Sequence, residues 1–243
     1  MADACTSSDE AANLRRLASS KCKTEYHDYI HRDGRGIAEL LQENPSCSPP
    51  FALLLELSPK LSPRYYTISS SPLADPDSVH LTVKVLREPM KGANDRMKKG
   101  VCSTQLAELS SGSGVARVFV HPSIFRLPDD PAAPIVMVGP GTGVAPFRSL
   151  LRHLSASDTR TPRPGHVRLY FGCRRSDEDF LYEEEFRGYL KAGTLSSLRL
   201  AFSREQKEKV YVQHLVAEDG KDLWGMLQQN GHIYICGGAF FAL

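Results

Sequence analysis

The stretch Ile135-Val136-Met137-Val138-Gly139-Pro140-Gly141-Thr142-Gly143-Val144-Ala145-Pro146-Phe147 constrains this chain more than any other. An unbroken apolar run of that length suits a strand covered on both faces, as in a parallel sheet. The glycines permit positive φ and let a ligand approach bare backbone. Phe147, Leu150, Leu151 and Leu154 then fall at helical spacing, so a helix should begin beyond the turn, with free N–H groups and the positive end of its dipole at its start. Strand, glycine turn and helix together make an anion site, most often for a phosphate. The turn lacks the G-K-[ST] ending of a P-loop, and it is not G-x-G-x-x-G, because Pro146 stands at the third glycine. Taken alone, a purely structural turn is the less frequent alternative for such a motif.

Beyond Asp129-Asp130-Pro131-Ala132-Ala133-Pro134, which reads as a domain boundary, strands are expected at 135–138, 167–171, 198–202 and 232–236. Helices are expected around 147–154, 182–190 and 221–229. Such alternation predicts a doubly wound parallel sheet with its ligand at the C-terminal ends of the strands. Ser203 and Arg204 follow the third strand, with Lys209, Tyr211 and Gln213 close behind. A hydroxyl, a guanidinium, an ammonium and a phenol suit a dianionic phosphate, although a solvated loop would hold the same residues.

The first half has a different texture. Residues 1–30 are polar; Leu14 and Leu17 with Arg15 and Arg16 fit either a short helix or a loose segment. Ile37, Leu40 and Leu41 predict a helix stopped before Pro45, and 51–57 a second one stopped by Pro59. Residues 64–71 are expected to be an extended strand, and 79–85 a strand with Val79, Leu81, Val83 and Val85 on a buried face. Residues 98–106 read as a turn entering a helix, and 115–120 as a further strand. A small antiparallel sheet or barrel with helical additions is the expected result.

Composition excludes several classes. Net charge is +2 over 243 residues, with 24% charged and 41% hydrophobic residues, which gives no reason to expect nucleic acid or an anionic membrane. No apolar run approaches the ~18 residues of a membrane helix. The six cysteines are scattered with no C-x-x-C pair, so neither zinc nor a disulfide framework is expected, and a reduced compartment is.

Arg64-Tyr65-Tyr66-Thr67, Gly100-Val101-Cys102-Ser103, the glycine turn, Gly172-Cys173-Arg174-Arg175, Ser203-Arg204-Glu205-Gln206 and Cys236-Gly237-Gly238 occur in a family's order. Together they resemble the FAD/NADPH half of the diflavin reductases, closest to the cytochrome P-450 reductase branch, over residues 36 to 239. The resemblance implies a ferredoxin-reductase-like fold of two domains, α+β then α/β. Residues 1–130 would hold a partial helical connecting segment and an antiparallel FAD-binding β-barrel. Residues 131–243 would form the doubly wound NADPH domain.

It further implies that Arg64 pairs with the FAD pyrophosphate, that Tyr66 stacks on the flavin ring beside Tyr65, and that the Thr67 hydroxyl lies near flavin N5. Thr82, Val83 and Lys84 would line FAD, and Gly100, Val101, Cys102 and Ser103 its second pyrophosphate loop. Gly141, Thr142 and Gly143 would hold the NADPH pyrophosphate. Ser203, Arg204, Lys209, Tyr211 and Gln213 would read the 2′-phosphate, and Cys236 would sit beside the nicotinamide. Thr67 and Cys236 are thus the expected catalytic pair. The implied activity is NADPH-dependent hydride transfer to FAD, with electrons passed to FMN on another domain or partner, or to a haem protein such as a cytochrome P-450. A cytoplasmic location is expected, at the cytosolic face of the endoplasmic reticulum for an anchored relative. Gly238 stands where the family has aspartate, and the tail Phe240-Phe241-Ala242-Leu243 does not resemble the family's continuation. A truncated or short form, catalytically impaired but still nucleotide-binding, is the alternative expectation.

Overall fold

The computed structural model describes residues 1–90, 97–109, 112, 114–157 and 165–238. The 239–243 tail, and with it the reading of Phe240 to Leu243, lies outside the described residues. The chain divides into two compact units, Met1–Arg64 with Val85–Ala116, and Tyr65–Lys84 with Arg117–Leu243.

In the first unit the polar start resolves into helix α1 (Ser8–Leu17). Ser7 caps it by accepting a hydrogen bond from the Glu10 amide, and Ala11, Leu14 and Leu17 form its buried face. Acidic residues in its first turn and arginines in its last suit the helix dipole. A short helix α2 (Lys23–Tyr26) runs into a π-helical turn, His27–Arg32. Helix α3 (Ile37–Glu43) starts where the Glu39 carboxylate accepts from the Gly36 amide, and it ends before Pro45. Helix α4 (Phe51–Leu57) follows Pro50. Strands β1 (Arg87–Pro89) and β2 (Met97–Lys99) pair antiparallel, Arg87 opposite Lys99, and helix α5 (Val101–Glu108) follows directly.

In the second unit β3 (Ile135–Val138), β4 (Val167–Cys173), β5 (Ser197–Phe202) and β6 (His232–Ile235) form one parallel sheet in the order β5-β4-β3-β6. Helix α6 (Ala145–Ala156) joins β3 to β4, and α7 (Ser176–Asp179) and α8 (Glu183–Lys191) join β4 to β5. The chain then returns through α9 (Val212–Glu218) and α10 (Gly220–Gln228) to the other side of β3.

The apolar run at β3 is divided between two cores. Ile135 and Met137 pack with Val144, Phe147, Leu151 and Phe186 on one face. Val136 and Val138 pack with Tyr170, Val212, Leu215, Leu223 and Met226 on the other. Period-two alternation inside a continuous apolar sequence is how a doubly covered strand buries every side chain. Tyr170 is fully buried, and its hydroxyl donates to Asp219 at 2.8 Å; burial pushes its pKa up to about 12.

Three expected strands are not formed as ladders. Residues 64–71 and 79–85 share a single bridge, between Ile68 and Leu81, beside which the His80 amide donates to the Ser70 hydroxyl, and 115–120 carries no strand. Val79, Leu81 and Val85 are exposed, as are Val115, Val118, Phe119 and Val120. Alternation prepares a segment to be half covered, and a ladder additionally needs neighbours whose N–H and C=O groups lie alongside. Among the described residues these segments have one bridge between them.

Candidate functional site

Viewed along the sheet, the chain moves outward from β3 through β4 to β5, then jumps back to place β6 on the opposite side of β3. The reversal lies between β3 and β6, the position where doubly wound sheets open a crevice for ligands. The glycine turn leaves β3 at this point, and Cys236 follows β6. A hydrogen bond from the Cys236 amide to the Val138 carbonyl, 3.0 Å long, holds the two strand ends together.

The glycines are fitted to this junction in different ways. A Cβ on Gly139 would strike the Phe147 ring, and one on Gly143 would collide with the main-chain carbonyl of Cys236. Gly141 has open space around it but takes φ +54, which L side chains rarely adopt. Residues Gly141–Val144 form a single 3₁₀ turn, with the Gly143 amide bonded to the Pro140 carbonyl, and α6 continues from it. Backbone stripped of side chains at the head of a 12-residue helix is a fit for a pyrophosphate. Cys236 is partly buried, and desolvation raises its thiol pKa, so the sulfur beside the turn is held as a neutral thiol.

The third strand end adds the cations. The amides of Ser203 and Arg204 donate to the carbonyls of Cys173 and Arg174, so the loop after β5 extends the edge of β4. The Ser203 hydroxyl donates to the Cys173 carbonyl at 3.3 Å, and Glu205 accepts from the Ser176 amide. Arg204, Lys209 and Gln213 point into solvent, and Tyr211 is half-exposed at the head of α9, its ring edge-on to His214. Neither Arg204 nor Lys209 has an ion-pair partner among the described residues, unlike Arg199 and Arg175 nearby, which are paired with carboxylates.

The residues expected to hold FAD fall in both units. In the first, Gly100 heads α5, its amide bonded to the Leu86 carbonyl, where any Cβ would press on Leu86 and Ser103. Ser103 is buried, and its hydroxyl accepts from the Leu86 amide at 3.1 Å. Val101 is exposed and Cys102 half-buried, while the Arg64 guanidinium turns back to the Ser62 carbonyl. In the second, Tyr65 is exposed with its ring edge-on to Phe119 and His121, Tyr66 is half-buried, and Thr67 is exposed. Thr82 and Val83 are half-buried and Lys84 is exposed. The Thr82 hydroxyl meets the Tyr182 hydroxyl at 2.7 Å.

What the sequence reading missed is how α6 holds the segment that follows Thr67. Arg148 is 7% exposed and grips Glu185 through Nε and Nη2, the Ser69 carbonyl at 3.1 Å and His80 at 3.2 Å. It also lies 4.3 Å over the ring of Tyr182, a residue held at φ 60. One turn on, Arg152 chelates Asp75 at 2.8 and 2.5 Å and reaches Glu185. Ser149 donates to the Ser70 carbonyl at 2.7 Å. Asp75 is held at about 2, first by its hydrogen bonds from Arg152 and then by the Ser71 amide. The available signal was Arg148 and Arg152, one turn apart on an apolar helix, with Ser-Ser-Ser and Asp75 elsewhere in the chain.

The comparisons with known proteins match two successive stretches of the chain, and residues 65–84, which belong to the second compact unit, fall inside the first match. Residues 1–105 match the family model "FAD binding domain", and residues 137–242 match "Oxidoreductase NAD-binding domain". The chain belongs to the diflavin reductase family. It is 40% identical over 98% of its length to the NADPH–cytochrome P450 reductase of Musca domestica, covering 36% of that protein. It is 42% identical over 95% of its length to the corresponding reductase of Oryctolagus cuniculus, covering 35% of it. The chain thus spans about a third of the length of the curated relatives it matches. The family's two nucleotide-binding domains are both represented, and no helix among the described residues is long and apolar enough to cross a membrane.

Proposed function

We propose that this diflavin-reductase chain binds NADPH at the β3–β6 crevice and FAD through its flavin-family residues, and passes electrons onward to FMN on another domain or to a haem protein such as a cytochrome P-450. The observation that carries the reading is the meeting, at the C-terminal ends of the parallel strands, of a glycine-rich turn, a neutral thiol and two cations without carboxylate partners among the described residues. When bound, the nicotinamide supplies a hydride and the flavin accepts it.

In this reading the chain's own residues bind and align. Gly141, Thr142 and Gly143 hold the pyrophosphate against bare backbone at the positive end of the helix dipole, the Gly143 amide being kept by the Pro140 carbonyl. Arg204 and Lys209, with Tyr211, Ser203 and Gln213, hold the 2′-phosphate by charge-assisted hydrogen bonds. Cys236 fills the space beside the nicotinamide with a neutral, polarisable thiol. On the flavin side Arg64 pairs with the pyrophosphate, Tyr66 stacks on the ring with Tyr65 beside it, and Thr67 offers its hydroxyl near flavin N5. Thr82, Val83 and Lys84 line FAD, and Gly100, Val101, Cys102 and Ser103 form its second pyrophosphate loop. The sequence domains are 1–130, as an FAD-binding β-barrel with helical additions, and 131–243. The location proposed is the cytoplasm, or the cytosolic face of the endoplasmic reticulum if the chain derives from a full-length anchored reductase.

A second reading, nucleotide binding with little turnover, is favoured by the single bridge that joins 64–71 to 79–85. Replacing Arg204 by alanine tests the phosphate assignment under either reading. Losing one charge-assisted contact, of about 1.5–3 kcal/mol, should weaken NADPH by at least an order of magnitude while NADH affinity hardly changes. Equal loss for both nucleotides, measured by titration calorimetry, would sink it.

A further inference from the structure

Cys5 and Cys47 lie far apart in sequence yet face each other across an antiparallel bridge in the first unit. The Thr6 amide donates to the Ser46 carbonyl, and the Ser48 amide to the Ala4 carbonyl, on either side of the pair. Cys5 and Cys47 exchange no backbone bond with each other, so they occupy the non-hydrogen-bonded position of an antiparallel ladder. In that position Cα atoms lie about 4.5 Å apart, which is inside the roughly 4.4–6.8 Å a disulfide spans. Both sulfurs converge on one acceptor, the Met1 carbonyl, at 3.6 Å from Cys5 and 3.2 Å from Cys47. Further bonds fix the two segments together: the Ser7 amide donates to the Ser46 hydroxyl at 3.0 Å, and Glu10 accepts from Ser46 through both amide and hydroxyl. Both cysteines are free thiols.

From this geometry we propose that Cys5 and Cys47 form a reversible intrachain disulfide, a redox modification site outside the nucleotide chemistry, taking low-molecular-weight disulfides as its reaction partner. Cys5 is the entry point, because it is partly exposed whereas Cys47 is 6% exposed. Burial, reinforced by the adjacent Cys5 thiol, pushes the Cys47 thiol up, which keeps it protonated until its partner has reacted. The Cys5 thiolate attacks one sulfur of glutathione disulfide, forming a mixed disulfide and releasing one glutathione thiolate. Cys47, deprotonated in turn, attacks the Cys5 sulfur and releases the second glutathione thiolate. Two protein thiols lose two electrons and two protons; one glutathione disulfide becomes two glutathiones. The bond closes the chain from residue 5 to residue 47 and staples the segment ahead of α1 to the connector between α3 and α4, so oxidation should raise the thermal midpoint.

The test uses the full reduced chain in glutathione redox buffers, with acid quench, alkylation and tryptic mapping. Residues 1–15 and 36–60 are single tryptic peptides, each holding one cysteine. They should appear joined, and joining should be half-complete at a glutathione disulfide proportion roughly tenfold lower, or less, in the native chain than in guanidinium chloride, corresponding to about 30 mV. Cys47→Ser should leave a glutathione adduct on Cys5, while Cys22→Ser should leave the joined peptides unaffected. Joining with no preference for the native state would overturn the proposal, as would Cys5 and Cys47 of the native chain remaining separately alkylated in a buffer that joins the two peptides of the denatured chain. A glutathione adduct first on Cys47 in Cys5→Ser, at the rate seen for Cys5 in Cys47→Ser, would overturn the order of attack.

Discussion

The three glycines of the turn are there for two different reasons, and substitution separates them. Gly141 needs a left-handed conformation but has empty space around it, so alanine there meets only backbone strain, about 1–2 kcal/mol. Gly143 has ordinary φ but no room: an added methyl would push on the Cys236 carbonyl. That carbonyl belongs to the residue whose amide ties β6 to β3, so it cannot retreat without loosening the strand end. Gly143→Ala should therefore cost more stability than Gly141→Ala, at the upper end of the about 1–3 kcal/mol usual for overpacking. It should also shift Cys236 and weaken NADPH at least tenfold. Thermal denaturation of the two variants side by side checks the order, and an equal or reversed cost would show that the β3–β6 junction yields easily.

Helix α6 joins two duties in one element: its head continues the glycine turn, and Arg148, Ser149 and Arg152 clamp the segment just after Thr67. A buried arginine with several partners is costly to delete, because the groups left behind lose their hydrogen bonds. Arg148→Ala should destabilise by about 3–5 kcal/mol. Asp75 gives the clamp a pH signature. Its folded pKa of about 2 lies below the ordinary 3.8, so its contribution is fully present above about pH 4. That contribution is lost as pH falls through about 2. Asp75→Asn should lower stability at neutral pH and flatten the pH dependence of the acid limb between about 4 and 2; an unchanged acid limb in urea melts would remove Asp75 from the clamp. The same element shows where sequence reading stops. The sheet of the second unit was legible, because a doubly covered strand must be an unbroken apolar run, and β3 is one. Helix α9 went unread beside its polar neighbours, although Val212, Leu215 and Val216 keep helical spacing. The clamp was illegible because its partners, Ser69, Asp75, Arg148 and Glu185, are joined by tertiary packing and not by spacing. The strands expected at 64–71 and 79–85 failed for the complementary reason: alternation is a local property, and a ladder requires a neighbour.

At the scale of the whole chain, nucleotide binding and electron transfer make separable demands. The β3–β6 crevice is assembled from one unit alone, from the turn, Cys236 and the loop after β5, so its affinity for a 2′-phosphorylated adenosine should not depend on flavin. By contrast, the residues assigned to FAD are drawn from both units, Arg64 and 100–103 from one and 65–67 with 82–84 from the other. Removing flavin should abolish turnover and leave the crevice intact. The purified chain should bind 2′,5′-ADP whether or not FAD is present, and a concentration about a hundred times its Kd should stabilise the fold by about 2.7 kcal/mol. Reduction of ferricyanide by NADPH should appear only when the protein is yellow, and anaerobic NADPH should bleach that colour. Protein that carries FAD, binds 2′,5′-ADP and still reduces nothing would favour the nucleotide-binding reading over the reductase. Failure to bind 2′,5′-ADP at all would reject the phosphate site on which both readings rest, because the cations without carboxylate partners beside β5 would then have no anion to explain them.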